Sequence, residues 1–132
     1  MRATASPRRT VVLIVALSLI AAAILAYGLR VAWLMVLADE GDVPPASALA
    51  LPADVTVSSD TIGCGSGGCS RTLTLTPVDG NTPEALANEL GTTPQLLIPG
   101  TFFDPRTVSA FGTVGDGQLV VVLDYSSTPY VP

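Results

Sequence analysis

A chain of 132 residues with eleven Asp/Glu, six Arg, no Lys and no His has room for one apolar anchor and one modest soluble domain. The missing residue types exclude a Ser-His-Asp or Cys-His nucleophile pair, a His-ligated zinc and Schiff-base chemistry on lysine. Charge is sharply divided: residues 1–38 carry four arginines and no acid, whereas residues 39–132 carry every acid and two arginines, a formal −9. So acidic a segment repels phosphate backbones, which removes nucleic acid as a partner.

Residues 1–10 read as a basic tail containing Arg2, Arg8 and Arg9. The nineteen residues from Val11 to Leu29 contain no charge, and only an internally hydrogen-bonded helix carries such a run through hydrocarbon. A transmembrane helix is expected over 11–33, with room to continue to Ala38. Tyr27 and Trp33 suit the outer interface, and Arg30 between them can snorkel to headgroups. Arginine on the N-terminal side, against Asp39, Glu40 and Asp42 beyond, predicts a cytoplasmic N-terminus and a C-terminal domain outside the cell membrane. Ser18, Ala22 and Ala26 form a small-residue ridge, the pattern of a weak homodimer contact, although alanine is common in such spans. Signal cleavage near Ala38 is the rival reading, with a second candidate at Ala48-Leu49-Ala50, but the apolar run is nearly twice the usual signal length. No Cys sits just after the apolar run, so a lipoprotein anchor is excluded. Arginine as the only base, together with abundant alanine, suggests a GC-rich genome and a bacterial envelope.

Residues 39–53, DEGDVPPASALALPA, are a Pro/Ala-rich linker by composition, with Pro44, Pro45 and Pro52 disfavouring helix. From 54 to 132 a small α+β domain is expected. Val55 and Val57, then Leu73 and Leu75, alternate with Ser and Thr. They flank Cys64-Gly-Ser-Gly-Gly-Cys69 as a hairpin with a cysteine-closed tip, apolar on one face and Ser/Thr on the other. Thr82 as N-cap, Pro83 at the first position, Glu84 in the first turn and Gly91 as stop bracket a short helix whose Leu86 and Leu90 should meet the sheet. Thr93-Pro94-Gln95 repeats the start signal weakly and can open a single turn before Pro99-Gly100. Thr107–Val114, the turn Gly115-Asp116-Gly117 and Gln118–Ser126 make a second hairpin. Leu119–Leu123 is apolar on both faces, as a central strand requires. The expected architecture is ββ-α-ββ: one antiparallel sheet of two hairpins under one covering helix.

Candidate sites are few. Cys64 and Cys69 are expected to form a structural disulfide, worth about 2 kcal/mol through the six-residue loop it closes. The C-x4-C spacing is not that of a thioredoxin-like pair. Two Cys without His make a poor zinc site, so no metal is expected. GSGG lacks the Lys-Ser/Thr that a phosphate loop needs, and no other cofactor signature is present. Asp79-Gly80-Asn81 and Asp116-Gly117 fit ordinary turns. Nothing in the sequence pairs Asp60, Asp104 and Asp124 for acid/base work. Arg71 is expected to pair with Asp60 across the hairpin, an exposed contact being the alternative. Phe102 and Phe103, with Phe111, are expected to close the small core; otherwise they form a patch for a partner.

These features point to a membrane-anchored, non-enzymatic interaction or accessory module. Its partners would be the bilayer and another envelope protein. The alternatives are a redox-sensing or thiol-exchange protein using Cys64 and Cys69, or a small secreted domain after cleavage.

Overall fold

The computed structural model describes residues 7–36, 41–66, 68–78 and 80–125. The cleavage candidate Leu37-Ala38 and the acids Asp39 and Glu40 lie outside these residues, as do Arg2, Gly67, Asp79 and Ser126.

Helix α1 runs from Pro7 to Val36, 30 residues, beginning four residues before the expected span. It is long and apolar enough to cross a membrane. Every residue from Arg8 to Ala26 is exposed, and only Tyr27, Val31 and Leu34 lose exposure farther on. That i, i+4, i+7 spacing defines one face, turned toward the rest of the chain.

A five-stranded antiparallel sheet follows: β1 (Val55–Gly65), β2 (Gly68–Pro77), β3 (Leu96–Ile98), β4 (Val108–Gly115) and β5 (Gln118–Tyr125), with α2 (Pro83–Leu90) between β2 and β3. The spatial order is β1-β2-β5-β4-β3. The expected two hairpins and helix are present, and β5 occupies the centre. The correction is β3, a three-residue strand where at most a single turn was expected. Leu96 pairs with Ala110 and Ile98 with Val108. A strand of three residues, held between Pro94 and Pro99, is too short to show the alternation of an edge strand.

Directly opposed residues fix which side chains share a face. Leu73 lies opposite Val121, and Leu75 opposite Leu119; Ala110 lies opposite Leu123. All six are fully buried on the covered face. α2 covers them with Leu86 and Ala87. Its N-cap is Thr82, whose hydroxyl accepts from the Ala85 amide. It stops at Gly91 in the left-handed conformation (φ 69°), which costs glycine least. Just beyond, the Gly112 amide donates to the Thr92 carbonyl, and a Cβ at Gly112 would collide with the Thr92 hydroxyl. Glycine in β4 therefore lets the end of α2 sit on the sheet.

Residues 41–54 lie along the domain rather than reading as bare spacer. Pro44 is fully buried, and Leu49 (3% exposed) belongs to the core. The opposite sheet face carries Thr72, Thr74, Val120 and Val122, half-buried, and Phe111, exposed. Val57, read as part of the hairpin's apolar face, is 44% exposed. It stands on the edge strand β1, where a register shift between Val57 and Ser59 bends the strand. The β4–β5 turn places Asp116 and Gly117 at positive φ (52° and 74°), the geometry that matches strand twist in a two-residue hairpin.

Candidate functional site

Three constellations stand out, and the first is the closed hairpin tip. Cys64 lies directly opposite Cys69 in the β1–β2 register, the two are joined by a disulfide with Cα atoms 4.0 Å apart, and no cysteine among the described residues is free. β5 pairs with β2 only from Arg71 to Leu75, so the tip projects past the sheet. Without neighbouring strands, the crosslink keeps its register.

The second constellation is built on two arginines. Arg71 Nη1 donates to both Asp60 carboxylate oxygens, at 2.8 and 2.6 Å, and its Nε donates to the Pro44 carbonyl. The expected cross-strand pair is therefore present, and it also holds the 41–54 segment. Arg106 is buried (7% exposed). It donates to Asp104 through Nε and Nη2, at 2.9 and 2.7 Å, and to Asp42 through Nη1 at 2.8 Å. Its guanidinium carbon lies 3.7 Å from the centroid of the Tyr125 ring, a cation–π contact. Hydrogen bonding from Arg106 holds the Asp104 carboxyl below its ordinary range. Burial raises the Tyr125 phenol, and the Asp104 partner raises Arg106 further. A buried cation needs such partners, because an unpaired charge out of water is costly. Local sequence signals missed this network: Asp104 and Arg106 are two apart, but Asp42 is 64 residues away.

Beside the network is an open groove of about 390 Å³, lined by Pro45, Ser47, Ile98, Thr101, Arg106 and Tyr125 among others. Its one guanidinium is paired with Asp42 and Asp104. Asp60, Asp104 and Asp124 do not assemble: Asp60 faces Arg71, Asp104 faces Arg106, and Asp124 lies opposite Ser109 in β4. No group of three or more His, Cys, Asp or Glu able to hold a metal occurs among the described residues.

The third constellation joins the far end of α1 to the turn 99–105. Phe102 and Phe103 were expected to close the core; they are instead 68% and 72% exposed, and Phe111 is 44% exposed. Phe102 stacks on Tyr27 with centroids 4.5 Å apart and planes 11° from parallel, and Phe103 meets Phe102 edge-on at 5.4 Å. Tyr27 Oη donates to the Phe102 carbonyl at 2.9 Å, and Arg30 Nε donates to the Phe103 carbonyl at 3.2 Å. The turn is internally tied. The Thr101 amide donates to the Asp104 carbonyl, and the Asp104 amide donates to the Thr101 hydroxyl. A Cβ at Gly100 would run into the Pro105 backbone, so glycine permits the close return. The core is filled by aliphatic side chains from β2, β4, β5 and α2, which leaves the phenylalanines outside it.

No protein-family model matches this chain, and neither a curated protein nor a solved structure shows significant similarity to it.

Proposed function

We propose that this chain is a single-pass, membrane-anchored accessory module of a cell envelope, with its acidic domain held outside and its basic tail inside. The observation that carries the reading is the contrast along α1. Residues 8–26 carry no charge beyond the arginines, are apolar apart from Thr10 and Ser18, and have no protein cover, whereas the next two turns dock onto the domain through Tyr27 and Arg30. A helix apolar on all sides and uncovered calls for lipid as its solvent. The arginine excess before the span supports an inside N-terminus. A disulfide in the domain fits the oxidising side of the membrane. The absence of histidine and lysine from the chain favours binding or positioning another envelope protein over catalysis.

Fractionation tests the anchor. The chain should stay with membranes under alkaline extraction, and its intact mass should retain α1. Protease added to intact cells should remove the domain and leave the basic tail protected. Release by alkali, a mass lacking α1, or a domain protected from external protease would overturn the reading. Photocrosslinking from Ile62, 55% exposed near the disulfide, should yield one reproducible envelope protein adduct that a crosslinker buried at Leu73 does not give.

A further inference from the structure

We propose that the turn carrying Phe102 and Phe103 is a second membrane contact, seated at the headgroup–acyl boundary with phospholipid as its partner. This rests on the membrane-spanning reading of α1 and extends it to the domain. Depth is the first argument. Tyr27 follows Arg9 by eighteen residues, about 27 Å along the axis at about 1.5 Å per residue, close to the edge of a hydrocarbon layer about 30 Å thick. Stacking on Tyr27 fixes Phe102 at that level. A bilayer that surrounds α1 up to Leu29 therefore also reaches the turn.

Polar satisfaction is the second argument. Backbone carbonyls at the edge of the hydrocarbon gain from protein donors, because the bilayer core beneath them offers no water. The Phe102 and Phe103 carbonyls have them, both supplied by α1. The phenyl rings themselves remain largely uncovered. Arg30 spends only Nε on the turn and makes no ion pair among the described residues, leaving Nη1 and Nη2 for a lipid phosphate. Trp33, 60% exposed, lies about 9 Å farther out by helical rise. Tyr27, Phe102, Phe103 and Trp33 thus form one aromatic belt, drawn from two segments more than sixty residues apart. Its effect is to seat the domain on the leaflet at a fixed height.

Depth-dependent quenching decides the matter with the full-length chain in phosphatidylcholine vesicles. In a Trp33→Phe background, one variant carries Phe103→Trp and another carries Leu19→Trp, near the middle of the span. Phe103→Trp should lose most of its emission to lipids brominated near the headgroup, less to lipids brominated near the chain ends, and little to aqueous acrylamide. Leu19→Trp should show the reverse depth preference. If Leu19→Trp is quenched by bromolipid while Phe103→Trp answers only to acrylamide, the turn lies in water and the proposal falls. If neither responds to bromolipid, the spanning reading itself fails. Shielding of Phe103→Trp from both quenchers would place a second protein copy over it and equally overturn the lipid contact. Phe102→Trp repeats the measurement on the stacked ring, and Phe103, being exposed, is replaced without repacking.

Discussion

The two helices of this chain solve the same backbone problem in opposite surroundings. α2 has eight residues, too few to persist alone in water. It depends on its Thr82 cap, its Gly91 stop and the burial of Leu86 and Ala87 against the sheet. α1 has 30 residues, no acid in its first turn and no base in its last, and from Arg8 to Ala26 it buries nothing against protein. Capping and packing on the sheet explain α2. For α1, length and uniform apolarity carry the explanation, because its first five turns have no protein partner among the described residues. Only at Tyr27, Val31 and Leu34 does α1 begin to behave like a helix of the domain.

Paired leucine truncations should expose that difference most strongly. Leu86→Ala removes a fully buried side chain and should destabilise the domain by about 3 kcal/mol, read as a lowered denaturation midpoint. Leu19→Ala, on the bare part of α1, should leave that midpoint unchanged. Equal effects would mean that α1 is packed against the domain along its length. Next in size is Cys64→Ser, which should cost about 2 kcal/mol by releasing the six-residue loop. Reductant should reproduce that loss in the parent chain and add nothing to the variant. Thr82→Ala should cost about 1 kcal/mol, and no substitution at the start of α1 should act on the domain through capping.

The finest effect is in acid. The Asp104 carboxyl is held below its ordinary value by Arg106, so as pH falls below that ordinary value the unfolded chain takes up the proton first. The stability it contributes is present above the unfolded carboxylate pKa, about 3.9, and is lost as pH falls through the lower folded value. Asp104→Asn should flatten this part of the pH–stability curve. An unchanged slope would assign the acid sensitivity to other carboxylates.

Much of this arrangement is legible in the sequence where the determining contacts are local. The caps of α2 lie within ten residues of each other, the Asp116-Gly117 turn declares its own geometry, and Leu119–Leu123, apolar on both faces, reads as a central strand. Arg71 with Asp60 also follows from hairpin register. What escapes such reading is set by distant partners. Leu49 enters the core from a Pro/Ala-rich stretch whose composition resembles a spacer. Arg106 is buried only because Asp42 and Tyr125 arrive from other parts of the chain. Phe102 and Phe103 look like core residues by type, but the aliphatic side chains of β2, β4 and β5 already fill that space. β3 is too brief to leave a periodic trace.

The sheet order has a consequence for assembly. β5 is made after every other described strand, yet it is the one that β2 and β4 both require as a neighbour. Until residues 118–125 arrive, the β1–β2 hairpin and the β3–β4 pair are two separate ribbons that expose the leucines meant to meet across them. α1, by contrast, can form as soon as it is synthesised, since its hydrogen bonds are all its own. Completion of the sheet therefore waits on residues 118–125, and an interruption just before Gln118 would leave α1 with no finished sheet behind it.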